Sequence, residues 1–207
     1  MGTHDWILFA TATLALNLTP GPDMLYISAR SIAQGRRAGV LSALGVAAGC
    51  FVHTLLVAFG LAGILARVPV AYDIVRYAGA AYLIYLGIRM LIAKPAARPL
   101  SPAIESGGRA FLQGVVTNVL NPKVALFFLA FLPQFADPAR GALWWQFIVL
   151  GALFNLSGTL VNLTVALVAS TTHRLASGGE RAGRWLRRLS AAVFVGLGAR
   201  LAIAGSR

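Results

Sequence analysis

Runs of apolar residues, each close to the length of a membrane span, alternate along this chain with short clusters of arginine, glycine and proline. A helix that crosses a bilayer needs about 20 mostly apolar residues. Six stretches meet or approach that length: residues 6–29, 40–66, 70–92, 110–135, 142–170 and 189–204. The second is the cleanest, with His53 as its one ionisable side chain, and the fifth carries no formal charge. The third has Asp73 and Arg76 near its start, and the sixth, the shortest, contains Arg200. No basic residue precedes the first apolar run within the chain, which therefore reads as a retained span and not as a cleaved leader. The pattern predicts an all-α membrane protein of about six transmembrane helices in a single domain over residues 1–207. Residues 93–108, with Pro95, Pro99 and Pro102, form a linker between a first part at about 6–92 and a second at about 109–207.

Two of the apolar stretches are interrupted near the middle. The first reads Asn17-Leu18-Thr19-Pro20-Gly21-Pro22-Asp23, and the fourth reads Asn118-Val119-Leu120-Asn121-Pro122-Lys123. Proline lacks an N–H and cannot bond the carbonyl four residues earlier, so Leu16, Leu18 and Asn118 are the expected orphan acceptors. In lipid such backbone persists only where protein buries it or where it lines a cavity. Pro20 and Pro122 are 102 residues apart, and the same shift places Gly49 on Gly151 and His53 on Asn155. Three spans in each part, an odd number, would run in opposite directions. The expectation is two inverted three-helix repeats, with helices one and four broken at proline and a site formed near the membrane midplane.

Composition supports the membrane reading. Apolar residues make up 58% of the chain and charged residues 12%, against about 25% charged in soluble domains. The net charge of +12 would suggest nucleic acid in a soluble protein. Here the basic residues sit between spans and no basic stripe follows a helix, so no nucleic-acid partner is expected. Arg30, Arg36, Arg37, Arg89, Lys94, Arg98, Arg109, Arg174, Arg181, Arg184, Arg187 and Arg188 fall after spans one, three and five, against five basic residues on the opposite side. The positive-inside bias places those connections in the cytoplasm. Cys50 is the only cysteine, which excludes an intrachain disulfide and a paired-thiol redox centre.

The candidate chemistry clusters at the breaks. Asp23 and Lys123 each follow a proline directly, and a charge at the bilayer centre costs at least about 2.5–3.5 kcal/mol. Each should face a partner or water. Either the two pair with one another as a structural ion pair, or they take the ammonium and the carboxylate of a zwitterionic cargo. Asn17, Thr19, Asn118 and Asn121 bring amides and a hydroxyl that either cap broken backbone or touch cargo. His53 reads as a proton relay or as a packed, hydrogen-bonded histidine. Asn155, Asn162 and Gln113 should face the bundle interior, Arg30 should reach lipid phosphate, and Trp6, Trp144, Trp145 and Trp185 should sit at the interfaces. Gly45 and Gly49 allow close helix approach, read here as internal packing. No phosphate-binding loop occurs, so energy for transport must come from an ion gradient. A metal-ion exporter is the alternative, although no paired ligand motif supports it. Neither an enzyme nor a cofactor is expected.

Thr19-Pro20-Gly21-Pro22 after Asn17, the run Gly35-Arg36-Arg37-Ala38-Gly39 after Arg30, and Asn121-Pro122-Lys123 followed by Phe131-Leu132-Pro133-Gln134-Phe135 resemble the lysine exporter (LysE) family. The closer likeness is to its homoserine/threonine efflux (RhtB-type) branch. The resemblance covers the whole chain. It implies export of amino acids or close derivatives across the bacterial inner membrane, driven by protons, by a multi-pass protein working as a dimer. Asn17, Pro20, Gly21, Pro22, Asn121, Pro122 and Lys123 occupy motif positions of that family.

Overall fold

The computed structural model describes residues 2–63 and 106–171, with scattered positions of the third and sixth apolar stretches. All regular structure among the described residues is helical. Most of spans three and six, the linker and the arginine-rich segment after span five lie outside the described residues, and so do Asp73, Trp185 and Arg200.

Helix α1 covers Thr3–Leu18 and α2 covers Pro22–Leu55. At 16 residues α1 is about 24 Å long, short of the roughly 30 Å hydrocarbon layer. Within α2, Gly35 has φ 82° and ψ −179°, a left-handed region that glycine enters without steric cost. The chain folds back there, so that Gly39 packs on Ser31. The sequence's first and second apolar stretches therefore meet at one residue. A π-helical turn, Leu56–Leu61, continues α2.

Helix α3 spans Gly107–Val119 and α4 spans Pro122–Leu126, running into a π-turn at Phe127–Phe131 and a 3-10 turn at Leu132–Phe135. The α3–α4 pair is bent by 46° at its break. Helix α5, Leu143–Thr171, and the segment Pro22–Leu61, which reverses at Gly35, are the two described stretches long and apolar enough to cross a membrane, and the bent pair makes a third candidate.

Small residues set the packing between α2 and α3. A Cβ on Gly114 would lie 2.5 Å from the Ser42 carbonyl, and one on Gly49 would lie 2.8 Å from the Val115 carbonyl. Gly45 rests on the Phe111 backbone. The Gly45–Gly49 step is thus engaged inside the bundle. Aromatic rings fill the space beyond the α4 break: Phe127 stacks on Phe154 at 4.6 Å and Phe9 meets Phe135 edge-on at 5.3 Å. Outward, Ile7, Leu25, Phe51, Leu112, Leu156 and Leu160 are exposed, a surface suited to acyl chains.

Candidate functional site

At the first break α1 ends at Leu18. Thr19 (φ −70°, ψ 121°) and Gly21 (φ −151°, ψ −174°) are extended, and Pro22 opens α2. No side chain caps α2 at Gly21. The Leu16 carbonyl accepts the Thr19 N–H at 3.1 Å and the Lys123 ammonium at 3.1 Å. The same ammonium donates to the Thr19 carbonyl at 2.9 Å. Lys123 thus brings a positive charge to the negative end of α1. Gly21 clears its path, since a Cβ there would be 3.0 Å from Nζ. The Thr19 hydroxyl turns back to the Ala15 carbonyl.

The second break is tighter. Asn121 caps α4 by accepting the Lys123 N–H at 3.0 Å, and Pro122 opens that helix. The Asn118 carbonyl, expected as an orphan, accepts the Asn121 N–H at 2.9 Å and faces His53 Nε2 at 3.1 Å. A carbonyl only accepts, so Nε2 must carry the proton in this contact. His53 also stacks on Phe128 at 5.7 Å. The side-chain amides of Asn118 and Asn121 both donate to Asp23 Oδ2, at 2.8 and 2.9 Å.

The breaks meet at a small cavity offering about 30 Å³ to the centre of a water molecule, room for about two waters. Asn17, Thr19, Asp23, Asn118, Lys123 and Asn155 line it, with Phe154, Val46 and Ala47 among the apolar wall. Asn121 stands just behind through its bond to Asp23, Gly21 lies against the Lys123 side chain, and Pro20, Pro22 and Pro122 shape the backbone that frames it. His53 lies one layer out, behind Asn118. Of the two arrangements open to Asp23 and Lys123, the direct ion pair is not the one formed. Lys123 holds carbonyls and Asp23 holds amides. Asp23 Oδ1 and Asn118 Oδ1 are buried without a hydrogen-bond partner among the described residues.

Asn17 donates to Ser157 Oγ at 2.9 Å and to the Phe154 carbonyl at 3.3 Å, and Asn155 donates to the Ala47 carbonyl at 3.1 Å. Sequence reasoning missed the parts of Ser157, Gly158 and Thr159. Gly158 leaves room for Asn17, whose Oδ1 would be 3.0 Å from a Cβ. The available signal was Asn155, Thr159 and Asn162, a polar stripe at helical spacing on an otherwise apolar helix.

Arg30 departs from expectation. It is 2% exposed, donates to Gln113 Oε1 and lies 5.5 Å from the centre of the Tyr26 ring, while the Tyr26 hydroxyl donates to the Ala110 carbonyl at 2.7 Å. The reversal at Gly35 tucks this end of α2 beneath α3, away from lipid phosphate. Among the described residues no three His, Cys, Asp or Glu side chains cluster as metal ligands, and the metal-exporter alternative has no support there.

The sequence profile of LysE type translocators matches residues 14–205. The chain is 32% identical over 213 residues to an uncharacterised membrane protein of Pseudomonas aeruginosa, covering 99% of this chain and 97% of that one. It is 28% identical to a leucine efflux protein of Salmonella typhimurium, covering 97% and 96% of the two chains. It is 32% identical to a homoserine/homoserine lactone efflux protein of Salmonella typhi, covering 96% of each. No solved structure matches the chain.

Proposed function

We propose that this chain, which belongs to the LysE type translocator family, exports amino acids or close derivatives by alternating access, with the two helix breaks forming its cargo site. It is a multi-pass transport protein of the bacterial inner membrane and not an enzyme. The names of two relatives, leucine efflux and homoserine/homoserine lactone efflux, support amino-acid cargo here. The observation that carries the reading is the meeting of Asp23 and Lys123, one from each break, on a single polar cavity.

Pro22 and Pro122 each head a helix, which supports reading the two parts as inverted repeats of three spans each. Pro20, the partner suggested by the 102-residue shift, lies instead in the extended linker. Cargo would sit against Asp23, Asn118 and the α5 stripe, held by a frame that includes Asn17, Thr19, Gly21, Asn121 and Lys123. Rocking one repeat against the other would then open the site to alternate sides. A cavity with room for about two waters requires such an opening before an amino acid can enter. Protons are the proposed coupling ion, through Asp23 with His53 one residue removed. A dimer would form on a face other than Gly45 and Gly49, which are engaged by α3.

The test is expression in a bacterial strain stripped of its own amino-acid exporters, scored by resistance to leucine, homoserine, threonine, lysine and their toxic analogues. Resistance to at least one is expected, together with its loss in Asp23→Asn at equal membrane abundance. A panel with no response sinks the exporter reading. Efflux that survives collapse of the proton gradient in otherwise energised vesicles sinks proton coupling alone.

A further inference from the structure

We infer that the cavity recognises its cargo through an ammonium group alone, and that a free carboxylate on the cargo is dispensable. This deepens the exporter reading and rests on it.

The donors and acceptors around the cavity are unevenly committed. Lys123 is the one cation among the described lining residues, and two of its three N–H groups already serve the Leu16 and Thr19 carbonyls. The amides that would otherwise meet an anion are engaged too. Asn17 donates to α5, Asn155 to the Ala47 carbonyl, and Asn118 and Asn121 to Asp23 Oδ2. Asn162 is half-buried and lines the cavity. Its neutral amide can donate to a carboxylate or to a carboxamide, and so separates the two weakly.

The buried side-chain atoms of the wall left wholly without a partner among the described residues are both acceptors. Asp23 and Asn118 are 8% and 2% exposed, and Oδ1 of each has no partner among the described residues. The amide assignment of Asn118 follows from its neighbour, because the Asp23 carboxylate requires the NH₂ to face it. A buried acceptor without a donor is costly, more so when charged. A cationic donor relieves that cost and an anion adds to it. The space available matches an ammonium head with one water, so the remainder of the cargo takes the room created when the bundle opens.

The test uses the full-length protein in proteoliposomes and counterflow of radiolabelled L-leucine, or of whichever amino acid responds in the resistance panel. The competitors are its amide, which keeps the ammonium and loses the carboxylate, and its N-acetyl derivative, which does the reverse. Mildly acidic buffer keeps the amide protonated. The amide should compete within about threefold of the parent amino acid, and the N-acetyl form at least about 100-fold more weakly, the gap expected when a buried acceptor is denied its donor. Competition by the N-acetyl form as strong as that by the amide overturns the inference. Replacing sodium with choline should leave flux unchanged. A fall in flux in choline, with no competition from the amide, assigns the acceptors to a metal cation and also overturns it. If no amino acid passes in either assay, the exporter reading fails first and this inference with it.

Discussion

The two helix breaks solve the same backbone problem in different ways. At Leu120–Asn121 the solution is mostly local: Asn121 caps α4 with its own side chain and its N–H meets the Asn118 carbonyl, which His53 also reaches from α2. At Thr19–Gly21 the ends are more open, and α2 begins without a side-chain cap. The carbonyls of α1 are met from the other break, by Lys123. Asp23, at the head of α2, in turn holds the amides of the second break. Each break therefore depends on a charge that the sequence places beside the other. Opposite charges in a membrane interior need not touch to be accommodated; here dipolar groups stand between them.

The comparison can be broken most severely at Asp23. Asp23→Ala leaves the Asn118 and Asn121 amides facing each other without an acceptor, and export should fall by about 100-fold or more at equal membrane abundance, read by efflux of the responsive amino acid. Lys123→Met removes the distant cap from α1 and should cost about 1–3 kcal/mol, read as a lower unfolding temperature in detergent. Exchanging the two charges, Asp23→Lys with Lys123→Asp, should rescue neither property, because the amides would then face an ammonium and the carbonyls a carboxylate. A rescued double variant would show that the two act as a simple pair. Asn121→Ala removes the local cap of α4 and one amide from Asp23, at a cost of about 1 kcal/mol or somewhat more, measurable in the same unfolding assay. The smallest effect belongs to Gly21→Ala. Its φ of −151° suits any residue and its nearest neighbour is the flexible end of Lys123, so stability should move by less than about 0.5 kcal/mol. A large loss there would mean that Lys123 has no freedom to shift.

The positions of the two breaks and the polar residues beside them were legible in the sequence. Proline's missing N–H alone marks the carbonyls of Leu16, Leu18 and Asn118 as orphans, and of the three Leu16 and Asn118 receive side-chain partners. The partners were not legible. His53 meets the Asn118 carbonyl across 65 residues of chain, and Asn17 meets Ser157 across 140. Arg30 misled for a related reason. An arginine at the end of an apolar run reads as an interface anchor, and only the reversal at Gly35 turns it inward onto Gln113 and Tyr26.

The sequence by itself determined that this is a helical membrane protein and where its first and fourth apolar stretches give way. Run length, low charge and proline are local properties, and they act on the few residues around them. The tertiary structure decided that the two breaks share one cavity, that Asp23 is held by amides and Lys123 by carbonyls, and that two acceptors on the cavity wall have no partner among the described residues. Those outcomes depend on how closely α2 and α3 approach through Gly45, Gly49 and Gly114. The Gly45–Gly49 step marks a close approach in the sequence, but which helix it meets is set by the packing of faces distant in sequence.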